Sequence, residues 1–402
     1  MFARSKVQEF LQNILEEEVT ELLGRSRSER RALPEVADGQ MPSHRAQGYR
    51  NGYGKPRRLS TASGTITLRR PRVRGLSERF ESRILPLFRR RTQSVSELLP
   101  ELYLHGLAER DFDLALRGLL GEAAPLSASS IARLKASWQL EYDAWRQRSL
   151  EGARVVYLWV DGIYVKAGLE KEKAALLVAV GALEDGSKVV LAVQAGHRES
   201  AESWSAMLRD LKDRGVQAPR LVIGDGHLGI WSALCNVFPE AAEQRCWNHR
   251  IVNVLDKLGK KEQPAAKVLL RQTMYAETLL EANRLKAVFE AWCRKKGFES
   301  AAAVLDKDWE RMVAYYAFPK EHWTHLRTTN PVESPFACVR LRTTAAKRYK
   351  KVENATAVIW KTLLIAEKAF RKVNAPERMQ DVAAGVRYTD GEPNTSQEKL
   401  AA

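Results

Sequence analysis

Apolar residues at three- and four-residue spacing open the chain. Val7, Phe10, Leu11, Ile14, Leu15, Val19, Leu22 and Leu23, with Glu16, Glu17 and Glu18 among them, predict an amphipathic helix over 7–23. No local partner is evident, so a dimer contact and packing on its own domain both fit. Segment 26–48 is polar, rich in Arg and Ser, and reads as a linker. From Tyr49 the chain turns short and basic, with Asn51-Gly52 as a turn, Thr65-Ile66-Thr67-Leu68 as a brief strand, and Pro71 arguing against a long one. Three periodic blocks follow over 95–145; Gly121 would close the second, and Ser127 or Ser129 would cap the third. Such an arrangement predicts a helix-turn-helix with the third block as recognition helix, although an ordinary helical hairpin gives the same pattern.

After residue 151 the period changes. VVYLWVDGIYV, KAALLVAVGAL and KVVLAVQAG read as buried strands, the last two joined by a turn at Glu184-Asp185-Gly186-Ser187. A Ser200-capped helix, the strand PRLVIGDG, a short helix and a weak strand EAAEQRCW complete a mixed sheet covered by helices. Residues 250–325 are helical, with Trp292, Trp309, Tyr315, Tyr316 and Trp323 as core aromatics. Helices over 331–350 and 354–373 precede a polar tail after Pro376. The domain plan is an N-terminal helix and linker (1–45), a basic region (46–150), the first part of an α/β core (151–250), a helical insertion (251–328), the final core helices (329–375) and the tail (376–402).

Composition narrows the partners. Lys plus Arg number 65 against 49 Asp plus Glu, a net charge of +16, which favours a polyanion such as double-stranded DNA. Arg69, Arg70, Arg72 and Arg74 are candidate phosphate contacts. No apolar run approaches the roughly 20 residues of a membrane span, and the N-terminus lacks a signal-peptide core, so a cytoplasmic protein without membrane contact is expected. The four cysteines, Cys235, Cys246, Cys293 and Cys338, have no disulfide-framework spacing.

Candidate chemistry rests on carboxylates. Asp161 and Asp225 each end a predicted strand and each precede a glycine. Side chains at strand ends face the ligand crevice of an open sheet, and paired carboxylates call for a divalent cation, although a lone Asp there is commonly a turn former. Glu333 has two readings. Asn330 as N-cap with Pro331 first in the helix makes Glu333 part of a capping box. Alternatively, Glu333, Arg340 and Lys347, seven apart, line one helix face, a carboxylate heading a basic stripe suited to DNA; Arg342 is a further candidate DNA contact. Cys246-x-x-His249 has the spacing of half a zinc site, but no second ligand pair lies at suitable spacing, which argues against zinc there.

These segments carry a resemblance. LWVDGIYVKAG, VIGDGHLGIWSAL, QRCWNHRIVNVL and RTTNPVESPFACVRLRT, preceded by YRNGY, GTITLRRPR and ELYLHGL, resemble the IS256 or Mutator-like family of bacterial DDE transposases over roughly residues 45–390. The resemblance implies an RNase H-like α/β core with an all-helical insertion behind a helix-turn-helix-like basic region. It implies Asp161, Asp225 and Glu333 as catalytic ligands of two Mg²⁺ ions, with Mn²⁺ as substitute, and Cys246 and His249 as active-site support. Terminal inverted repeats, target DNA and a second copy of the chain are the partners expected. Thr344-Ala345-Ala346 departs from the basic residues common in that family. An RNase H-like endonuclease without strand transfer, or a DNA-binding regulator, is the competing reading.

Overall fold

The computed structural model describes residues 2–29, 48–86, 90–108, 111–120, 128–168, 173–196, 198–226 and 228–394. Most of the expected linker, together with Gly121 and Ser127, lies outside them. The chain divides into two compact units, Met1–Leu134 and Lys135–Ala402.

In the amino unit, α1 (Phe2–Leu23) buries Leu15, Val19 and Leu23. It packs on β3 (Gly64–Leu68) and β4 (Pro71–Arg74), against Leu59, Ile66, Leu68 and Leu85. Its apolar face is thus covered by its own domain, while Phe10 and Leu22 remain exposed. Gln12 ties helix to sheet, exchanging two 2.9 Å hydrogen bonds with the backbone of Arg69. β3 forms a hairpin with β2 (Arg57–Thr61), and β4 pairs with β1 (Tyr49–Tyr53). Asn51-Gly52, expected as a turn, lies inside β1: the pairing register shifts between Arg50 and Tyr53, and Gly52 takes φ +64°, so the extra residue is absorbed as a bulge. Helices α2 (Gln93–Leu104), α3 (Phe112–Leu120) and α4 (Ala128–Arg146) fall on the three periodic blocks. Ser129 sits inside α4, which already begins at Ala128, and does not cap it.

The carboxyl unit carries a five-stranded mixed sheet, ordered β7-β6-β5-β8-β9. β5 (Val155–Val165), β6 (Ala174–Leu183) and β7 (Lys188–Gly196) form an antiparallel meander; β8 (Leu221–Gly224) and β9 (Ala242–Arg245) continue it in parallel. The β6–β7 turn is pinned by Asp185, whose Oδ1 accepts from the Ser187 N–H at 2.9 Å, and Gly186 supplies φ +78°. α5 (Ala201–Asp213), capped by the Ser200 hydroxyl, and α6 (Leu228–Val237) cover one face through Trp204, Met207, Leu208, Leu211, Ile230 and Leu234. They meet closely because Gly229 lacks a side chain: a Cβ there would lie 2.8 Å from the Ala201 nitrogen.

α7 (Trp247–Leu255), α8 (Gln263–Met274), α9 (Leu279–Lys296), α10 (Glu299–Asp306), α11 (Trp309–Val313) and α12 (Trp323–Leu326) make the helical block, with Tyr315, Tyr316 and Trp323 buried as expected. α13 (Asn330–Glu333), α14 (Phe336–Ala346) and α15 (Val352–Glu367) follow, the last packed on β7. The single helix predicted over 331–350 is therefore broken. Pro335 has no N–H to continue the ladder, and Lys347 leaves α14 with φ +61°. Glu333, Arg340 and Lys347 do not form one continuous stripe. The polar tail takes regular structure as far as residue 394: α16 (Arg378–Ala384) and a short hairpin bury Met379, Val382 and Tyr388.

Candidate active site

Side chains alternate between the faces of β5. Leu158 and Val160 enter the core under α5 and α6, so Tyr157, Trp159 and Asp161 share the opposite face. There the Tyr157 hydroxyl and His322 Nδ1 are hydrogen-bonded at 2.7 Å, and Trp159 Nε1 donates to the His325 carbonyl at 2.9 Å. Parallel pairing sets Trp159 opposite Ile223, so two residues further on Asp161 and Asp225 stand level, just past the last paired positions. β9 extends the row: Gly224 pairs with Arg245, bringing Cys246 level with Asp225. Where the pattern predicts that Asp161 ends a strand, β5 instead runs on to Val165. β6 keeps pairing with it as far as Ala174, whereas β8 stops at Gly224.

Asp161 is half-buried, and its Oδ1 accepts the Gly162 N–H at 2.8 Å. Burial pushes its carboxyl above the usual range; the Gly162 hydrogen bond opposes the rise, and the charges of Glu333 and Asp225 add to it. Nearby positive charge favours the ionised form of such a group. Asp225 is followed by Gly226, whose φ of +96° suits glycine and whose missing side chain leaves room for the Arg245 guanidinium.

Glu333 ends α13, a single turn packed against β5 and β6. The capping box expected from Asn330 does not form. Thr329 is the N-cap, and its hydroxyl hydrogen-bonds the Glu333 carboxylate. Thr329 also approaches the buried Cys246 sulfur, its N–H at 3.3 Å and its Oγ1 at 3.2 Å. His249 Nδ1 lies 3.8 Å from Glu333 Oε1. Its pKa is raised, first by Cys246 as a hydrogen-bond acceptor and a charge, and then by Glu333 and Asp225, against the effect of burial. Asp161, Asp225, Cys246, His249 and Glu333 thus share one electrostatic neighbourhood, drawn from the interior of β5, the ends of β8 and β9, and two helices.

Two contributors carried no recognised signal. A Cβ on Gly162 would overlap the Glu199 carboxylate, so a further acid lies against the strand beside Asp161. Its only sequence mark is its place immediately before the Ser200 cap. Burial and then Glu199 push the Tyr164 phenol up to about 12. Thr329 is the second.

Of the candidate DNA contacts, Arg69, Arg72, Arg74, Arg340 and Lys347 are exposed and Arg70 is half-buried. Arg342 is 1% exposed: its turn of α14 faces the core with Phe336 and Val339, which removes it from the surface where phosphates bind. Among the described residues no helix is long and apolar enough to cross a membrane.

The family described as "Transposase, Mutator family" matches residues 2–369, and the chain belongs to it. The transposase for insertion sequence element IS6120 of Mycolicibacterium smegmatis is 46% identical over 297 residues, 74% of this chain and 92% of that protein. The transposase for element IST2 of Acidithiobacillus ferrooxidans is 40% identical over 281 residues, 69% of this chain and 95% of its own. The transposase for insertion sequence element ISRM5 of Rhizobium meliloti is 30% identical over 385 residues, 94% of this chain and 91% of that protein.

Proposed function

We propose that this transposase serves an insertion sequence, binding the element's terminal inverted repeats, cutting to expose 3′-OH ends and joining those ends to target DNA. The observation that carries the reading is the level placement of Asp161 and Asp225 on adjacent parallel strands, just past the last positions those strands pair, with Glu333 brought over the same face. This arrangement, with its five-stranded mixed sheet, supports an RNase H-like core.

The donor set fits hard divalent cations. Asp161 is disfavoured as an anion by burial and by two neighbouring carboxylates, and oxygen ligands of this kind suit Mg²⁺ or Mn²⁺. Bound there, such ions neutralise phosphate charge and acidify water for attack on a phosphodiester. Asp161, Asp225 and Glu333 would hold them. Thr329 fixes the Glu333 rotamer, and His249 Nδ1 stands 3.8 Å from that carboxylate. Arg69, Arg70, Arg72 and Arg74 of the amino unit, with Arg340 and Lys347, would bind phosphates. Two DNA ends must be held together for joining, which favours a homodimer.

Asp225→Asn should still retard a duplex carrying the element's end on a gel, yet leave it unnicked. Nicking at the normal rate would refute the assignment.

A further inference from the structure

Spacing along the chain offers Cys246 and His249 no zinc partner, but the fold does. The Cys246 sulfur, a His249 ring nitrogen and a Glu333 oxygen all lie within 4.8 Å of one another, the one such trio of His, Cys, Asp and Glu among the described residues. Zinc bonds of about 2.0–2.3 Å at tetrahedral angles set ligand atoms roughly 3.3–3.8 Å apart, so closing on an ion asks for movement on the order of 1 Å. His249 Nδ1 and Glu333 Oε1 already stand at 3.8 Å. A second observation points the same way. His249 Nδ1 is shut off from solvent, with no hydrogen bond of ordinary geometry. The buried sulfur accepts the Thr329 N–H at 3.3 Å, the kind of outer contact that orients a metal ligand.

We propose that Cys246, His249 and Glu333 form a site for a soft divalent cation of the Zn²⁺ class, distinct in chemistry from the oxygen-only Asp161–Asp225 pair. Cys246 and His249 give up their protons to solvent on binding, so that the sulfur ligates as thiolate and the ring as neutral imidazole; Glu333 gives one oxygen, and water takes the fourth position. The Thr329 hydroxyl, with one proton for two acceptors, settles on whichever of sulfur and carboxylate keeps a lone pair unused by the ion. One consequence rests on the proposed role of Glu333 in cutting: zinc, by taking that carboxylate, inhibits cleavage with an onset at one equivalent.

The test uses reduced full-length protein and Co²⁺ as a coloured stand-in for zinc. One cobalt per chain should produce a thiolate-to-metal charge-transfer absorption that Zn²⁺ abolishes. The absorption should survive Cys235→Ser with Cys338→Ser, the two exposed cysteines, and vanish in Cys246→Ser. His249→Gln and Glu333→Gln, both at partly exposed positions, should weaken binding by more than the roughly 10–100-fold that loss of an outer partner brings. These two variants keep the test decisive if Cys246→Ser misfolds. No charge-transfer absorption in the wild type, or unchanged affinity in both glutamine variants, overturns the site. Cobalt bound as described without zinc inhibition of cleavage would leave the site standing and count against Glu333 in cutting.

Discussion

Asp308 is the most heavily engaged carboxylate of the helical block, and replacing it with Asn tests how the row of strand-end residues is held. One oxygen accepts from Arg245 at 2.7 Å and from Arg250 at 3.0 Å, while the other accepts from Arg311 at 3.0 Å. Arg245 ends β9 beside Gly226, and Arg250 follows His249 on α7, so this carboxylate ties the α10–α11 junction to both sides of the candidate site. Arg245 and Arg250 side chains are only 10% and 3% exposed, whereas Arg311 is 35% exposed and counts for less. Removing one partner of a buried pair leaves uncompensated charge, a loss of about 3–5 kcal/mol. Asparagine is the right probe because residue 308 sits at φ +64°, a conformation asparagine tolerates, whereas alanine would add strain of about 1–2 kcal/mol.

All ten tryptophans lie at position 138 or beyond, so tryptophan fluorescence during urea unfolding reports the carboxyl unit alone. Asp308→Asn should lower its stability by about 3–5 kcal/mol, a large share of the roughly 5–15 kcal/mol typical of a domain. Burial alone would raise the Asp308 pKa, but Arg245, Arg250 and Arg311 together hold it below the usual range. Its contribution is therefore complete above about pH 4 and disappears as pH falls through the depressed folded value, so variant and wild type should converge in acid. A loss under about 1 kcal/mol, the scale of an exposed ion pair, would refute the reasoning.

Other outcomes follow from the same geometry. Gly162→Ala drives a methyl into the Glu199 carboxylate, so cleavage of an end duplex should fall at least tenfold while circular dichroism stays native; full cleavage would place that carboxylate elsewhere. His322 and His325 are held below their ordinary pKa, chiefly by burial, so stability is complete above about pH 6.5 and declines as pH falls and the unfolded chain takes up protons first. His322→Gln should flatten the slope of melting temperature between about pH 7 and 5.5, and an unchanged slope would exclude the role. Replacing exposed Arg72 and Arg74 together by alanine should reduce the salt dependence of duplex binding by up to about two ions, at roughly 0.9 per phosphate contact; an unaltered slope would take β4 out of the DNA interface.

The sheet was legible because its strands are continuous apolar runs closed by clear turn chemistry, and all five, including the weak one over 242–245, formed where the pattern put them. Local rules failed where pairing or burial decided instead. Asp161 lies inside a strand because its two neighbours have unequal lengths, which no single segment reveals. Asn51-Gly52 carries the signature of a turn, yet the partner strand converts it to a bulge. Arg342 looks like one more basic residue beside Arg340, yet two residues further round α14 it falls on the opposite, buried face with Phe336 and Val339. Thr329 and Glu199 matter through contacts with residues far away in sequence, and so left no periodic trace.

The chain order of these elements has a temporal consequence during synthesis. The sheet is finished at Arg245, yet Glu333 and the helix that covers β7 come only after the whole helical block. A chain still on the ribosome can assemble its amino unit and its strands long before residue 333 emerges. If that residue supplies the last acid and the amino unit binds DNA as proposed, a polypeptide that has not yet reached residue 333 can hold DNA but cannot cut it.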